Sequence, residues 1–199
     1  MPSITFAHRI HRPFVTILLL AVATGAFAQG GAADHATHRH DHVREMGAAV
    51  MPFDLEKTLH GFVHTVTGGE QVVVVRDTAA DADQVPLVRS HLREIAAAFA
   101  SGDFGDPATI HGDDMPGLDV LRERFAAVTI RFFSLPDGAI IVYDTDDDDV
   151  VAALHAWFGA QVGDHGMDAV MGQIDSLTTE ALWRDLYPAE PTPASFAGR

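Results

Sequence analysis

Two stretches of this chain echo one another, and the echo limits what it can fold into. Val74-Val-Arg-Asp-Thr78 and Ile141-Val-Tyr-Asp-Thr145 each close a pair of alternating segments, and each leads through an acidic linker into a helical pattern. In the first pair His60, Phe62, His64 and Val66 alternate on one strand face, Thr67-Gly68-Gly69-Glu70 turns the chain, and 71–76 is a valine-rich strand. In the second, Val128, Ile130 and Phe132 alternate, Pro136-Asp137-Gly138 turns, and 139–143 is the return strand. Strand-strand-helix in tandem predicts an α+β fold: a two-layer sandwich with a four-stranded antiparallel sheet and helices on one face. With Gly68-Gly69 as the hairpin loop, His64 faces Val73, Phe62 faces Val75 and His60 faces Asp77.

The helix after the first pair starts near Asp81 or Asp83, takes Pro86 in its first turn and carries Val88, Leu92, Ile95 and Phe99 at helical spacing, with His91 among them. The last core helix repeats the placement. Val151, Leu154, Phe158 and Val162 form its stripe, and His155, Gln161 and His165 sit beside it. Between the two lie a loop over 109–117, holding His111, Asp113, Asp114 and Met115, and a short helix over 118–126. The run of aspartates at 146–149 alternates with Asp144 like a calcium loop. It lacks the glycine at the sixth position and the glutamate at the twelfth, so it reads as a helix start favoured by the peptide dipole.

The ends of the chain have a different character. His8, Arg9, His11 and Arg12 precede an apolar run over 14–26, and Ala26-Phe-Ala28 is a small-x-small cleavage site. Residues 1–28 therefore read as a signal peptide, and the location expected is periplasmic or secreted. No later segment is apolar for long enough to span a bilayer, and a chain with no cysteine can carry neither a lipidated cysteine nor a disulfide, so no stable membrane anchor is expected. Residues 29–45 read as a disordered leader in which His35, His38, His40 and His42 alternate with Asp34 and Asp41, a composition that takes up Cu(II), Zn(II) or Ni(II). The domain proper spans 46–167. Over 168–199 the pattern weakens to one more amphipathic helix around Leu177, Ala181, Leu182 and Leu186, then a proline-marked loose tail.

Net charge narrows the function. The chain stands at −15, and its first 28 residues hold no acid, so the mature remainder is more negative still. Such a surface repels nucleic acid and anionic membranes and attracts cations. Neutral imidazole is the commonest metal ligand. If the two halves pack about a pseudo-twofold axis, His60, His91, His155 and His165 meet as ligands for copper or zinc, with Met51 as a soft donor for Cu(I). The alternative is a non-catalytic module for a small molecule or a protein, using the cleft between helices and sheet. A homodimer through the open sheet face belongs to the same reading. No Gly-x-Ser-x-Gly elbow and no cysteine nucleophile is present, so binding is expected rather than catalysis.

Three motifs together resemble a family of small secreted bacterial proteins of unestablished role, often labelled aspartate carbamoyltransferase. They are Met51-Pro-Phe-Asp54 with Lys57-Thr58-x-His60-x-Phe62, His91-Leu-x-x-Ile-Ala-x-x-Phe-Ala-Ser-Gly-Asp-Phe104, and His155-Ala-Trp-Phe-x-x-Gln-Val-x-Asp-His165. The resemblance covers roughly residues 46–168 and implies an α+β fold and export. It does not imply the labelled activity, since the Ser-Thr-Arg-Thr phosphate loop and the His-Pro-x-Gln segment of carbamoyl transfer are absent. Members of that family carry Met-Gly-Phe-Asp and a His-His pair before the phenylalanine. Here Pro52 replaces the glycine and Gly61 the second histidine, and His64 is the nearest substitute.

Overall fold

The computed structural model describes residues 30–173. The signal peptide and the C-terminal helix that the sequence leads one to expect lie outside the described residues and are not tested by them. Thr58–Thr65 (β1) and Gly68–Val75 (β2) form the first hairpin, and Thr129–Leu135 (β3) and Gly138–Asp144 (β4) the second. The hairpins abut antiparallel through their second strands, Gly68 opposite Asp144 and Val74 opposite Gly138. This is the mixed architecture that the tandem pattern predicts, but the sheet has five strands instead of four. Ala169–Gln173 (β5) adds parallel to β1, which gives the order β3-β4-β2-β1-β5. A strand of five residues ending next to a poorly patterned tail gives little periodicity to read.

Two long helices, Gln84–Ala100 (α2) and Asp148–His165 (α5), pack on one face of the sheet. Val88, Leu92, Ile95 and Phe99 of α2 and Leu154, Trp157 and Phe158 of α5 join Phe62, Val73, Ile141 and Tyr143 of the strands in one core. Burying an aliphatic or aromatic side chain of this size contributes about 1.5–3 kcal/mol each, so this layer dominates stability. A smaller cluster of Phe133, Leu135, Ile140 and Val142 lies on the opposite sheet face. Asp147 caps α5 by accepting from the amides of Asp149 and Val150, so the aspartate run does start the helix. Among the described residues no helix is long and apolar enough to cross a membrane.

Three local expectations change. The first concerns register. The β1–β2 turn is Val66-Thr67, so His60 opposes Val73, Phe62 opposes Gln71 and His64 opposes Gly69, and no His60–Asp77 pair forms. The two glycines serve close approach instead of the turn. A Cβ on Gly68, which sits at φ +148°, would collide with the carbonyl oxygen of Tyr143, and one on Gly69 would lie 2.5 Å from the Phe158 ring. Because the slip is an even number of residues, His60 and Phe62 keep the inner face.

The second is the leader. Instead of disorder, Gly30–Val50 forms a helix (α1) that lies along α5 and the short helix Gly105–His111 (α3). Val43 is its buried apolar anchor. Ion pairs from Arg39 to Asp164 and Arg44 to Glu56, with a hydrogen bond between His40 and Asp168, supply the docking that composition alone does not show. The third is His111, which ends α3 and is not part of a loop; the short helix Leu118–Glu123 (α4) follows it.

Candidate functional site

The ends of three elements and the middle of α2 converge beneath the N-terminal helix. β1 contributes His60 near its start, α2 contributes His91, α3 ends on His111 and α5 ends on His165. All four imidazoles are buried and line one cavity of ≈ 40 Å³ with Met51, Gln71, Trp157 and Gln161. That volume holds a few water-sized groups or one ion. The His60 and His165 rings stack at 4.7 Å between centroids, and His111 meets His165 edge-on at 5.0 Å. Phe53 stands between His60 and His91, 6.0 Å from the first ring and 5.6 Å from the second. Met51 of the Met51-Pro-Phe53 motif thus lines the cavity, and Phe53 packs against two of its rings.

Of the residues expected at this site, His60, His91, His165 and Met51 are brought together. His155 is not. Its Nε2–H donates to the carbonyls of Thr65 (3.1 Å) and Gly68 (2.8 Å), and its ring stacks on His64 at 4.0 Å, where the pair holds the β1–β2 turn. The physical reason is helical rise. His155 and His165 are ten residues apart on one helix, about 15 Å along its axis, too far for a single ion. The buried face of α5 also runs through Val150, Ala153, Leu154, Trp157, Phe158, Gln161, Asp164 and His165, which leaves His155 beside it. His64 therefore does not stand in for the histidine missing at 61. A histidine there would oppose Val72 on the other sheet face, away from the cavity.

His111 is the ligand-type residue that sequence reasoning missed. Asp106-Pro107 at the start of α3 and Gly112 after its end are helix start and stop signals that would have placed it. Its Nδ1–H donates to Asp164 Oδ2 at 3.0 Å, which leaves the Nε2 lone pair available. Asp164 is held in turn by Arg39, through Nε to Oδ1 and through Nη2 to Oδ2 at 3.0 Å. A carboxylate behind an imidazole fixes the tautomer and raises ring basicity, the arrangement that supports metal-bound histidines.

Electrostatics keep the cluster uncharged. Burial pushes the His60 imidazole down to about 4, with Asp168 opposing and His111, His91 and Arg76 adding to the shift. Burial also lowers His165 well below the ordinary imidazole value, helped by the neighbouring His60, His111 and His40. His111 is lowered by burial against the pull of Asp164, and His91 by burial against Asp106 and Glu94. At neutral pH the cavity therefore presents neutral rings with lone pairs, the form that binds a metal.

Three buried polar atoms of the lining have no hydrogen-bond partner among the described residues: His60 Nδ1, Trp157 Nε1 and Gln161 Nε2. An unmet buried polar group costs about 1–3 kcal/mol, and a cluster of them marks a place built to meet something else. The His60 and His165 rings lie nearly parallel, so lone pairs in those two planes do not converge on one point. Among the described residues no three His, Asp or Glu side chains already converge on one point as metal ligands. Coordination of an ion therefore requires these side chains to change rotamer. Comparison of the chain with family models, curated proteins and solved structures finds no match.

Proposed function

We propose that this is an exported metal-binding protein that takes copper or zinc in the cavity of His60, His91, His111 and His165, with Met51 as the soft donor that favours Cu(I). The observation that carries this reading is the gathering of four uncharged imidazoles, from four separate elements, around a single small cavity. Uncharged imidazoles with the Asp106 carboxylate in the same lining, in a strongly acidic chain, favour a cation over an anion. The basic start, apolar run and Ala-Phe-Ala site of the first 28 residues support export.

The test is metal analysis of the mature full-length chain after dialysis against Zn(II) or, under reducing conditions, Cu(I). Retention of one equivalent in the cavity is expected, with loss in a His60→Phe/His165→Phe variant that stays folded. At 100 times Kd the ion stabilises the fold by about 2.7 kcal/mol, which raises Tm by roughly 5–10 °C. No retained metal and no thermal shift would remove this reading.

A second reading rests on one specific observation. The indole N–H of Trp157 can only donate, so it cannot ligate a cation, and with the Gln161 amide it suits an oxygen atom of a small neutral ligand. Neither reading assigns a catalytic residue.

A further inference from the structure

The N-terminal helix has two faces, and only one of them is used to dock. Arg39, His40, Val43, Arg44 and Gly47 turn toward the body of the protein, through Asp164, Asp168, the core, Glu56 and Met51 respectively. His38, Asp41, His42 and Glu45 occupy the other side, and all four are exposed. Their spacing is i, i+3, i+4, i+7, which confines them to an arc of about 100° on the helix.

We propose that this outer face is a second, exposed site for a divalent transition-metal cation, with His38 and His42 as its primary ligands, Asp41 as a carboxylate donor and Glu45, one turn further along, as a source of negative potential. Two imidazoles four residues apart lie one above the other on a helix. That is the placement by which a helical His-x-x-x-His pair holds Zn(II). The helix is what makes this a defined pair, since a chain without structure holds no fixed spacing between the same residues. Exposed side chains change rotamer on the picosecond-to-nanosecond scale, so an incoming ion gathers them at little cost. Asp41 and Glu45 also line a surface groove of ≈ 590 Å³ with Asp54 and Glu56, which adds negative potential beside the imidazoles. Docking of the opposite face through Arg39 and Val43 holds the helix backbone in place; the exposed side chains do not already converge as a metal site, and the ion draws them together.

This site is independent of the buried cavity, and the two are separated by paired variants of the mature full-length chain. Zn(II) is titrated calorimetrically into the unaltered chain, H38A/H42A, D41N/E45Q and H60F/H165F. Alanine is the best helix former, so H38A/H42A keeps the N-terminal helix. The H38A/H42A change weakens the exposed site at least ~tenfold and D41N/E45Q weakens it less, because the imidazoles hold the ion and the carboxylates assist. In H60F/H165F the exposed site remains. A second readout is amide hydrogen exchange: Zn(II) slows exchange over residues 38–46 in the unaltered chain and not in H38A/H42A, since an ion that bridges one turn resists its opening. Identical Zn(II) isotherms for the unaltered chain and H38A/H42A, or unchanged exchange in the helix, would overturn the proposal.

Discussion

Lowering the pH from 7 to 5 destabilises this protein through its buried imidazoles, and His60 gives the size of the effect. In the fold its imidazole titrates at about 4, against 6.5 in an unfolded chain. Between those values the unfolded state carries a proton that the folded state refuses, so stability is full above pH 6.5 and falls as the pH drops toward 4. At 1.36 kcal/mol per pH unit of difference, His60 alone accounts for about 3 kcal/mol in total, and for about 2 kcal/mol between pH 7 and 5. His91, His111 and His165, all lowered by burial, act in the same direction. Two kcal/mol corresponds to a Tm decrease of roughly 4–8 °C for a chain of this size. Urea titrations of metal-free protein at steps between pH 7 and 5 measure the effect, and a His60→Phe variant isolates it. The variant loses about one proton's share, so its stability falls about 2 kcal/mol less over the same interval. Equal pH dependence in the two proteins, or an NMR titration placing His60 near 6.5, would refute the claim that the cavity keeps this ring neutral.

Further outcomes test the supporting shell and the parts that left the site. Asp164→Asn removes the carboxylate that both orients His111 and holds Arg39, so metal affinity at the cavity falls roughly 10–100-fold by calorimetry. His155→Phe leaves metal stoichiometry unchanged but costs about 1–2 kcal/mol in urea unfolding, because its ring N–H donates to two carbonyls at the β1–β2 turn. Gly69→Val forces a side chain against the Phe158 ring and costs about 1–3 kcal/mol by the same assay. Turnover of carbamoyl phosphate with aspartate stays at background in a colorimetric assay of the mature chain.

Much of the fold was legible because its signals are local. Strand alternation put His60 and Phe62 on the inner face, and helical spacing put His91 and His165 near the core, in both cases without knowledge of the partner. Hairpin register was not legible, because Gly68-Gly69 looks like a turn and is used for close contact with Tyr143 and Phe158. His155 and His165 looked equivalent beside one apolar stripe, but a helix separates them by about 15 Å. His111 was lost with the helix that ends on it. The order of the leader comes from polar contacts with Asp164 and Asp168, residues more than a hundred positions away, which no local window contains.

The most direct test is X-ray absorption on the H38A/H42A chain loaded with one equivalent of Zn(II), so that the cavity alone holds the ion. The account predicts a shell with at least three imidazole nitrogens. It is contradicted if no metal is retained, or if the ion sits among oxygens with no imidazole outer-shell scattering.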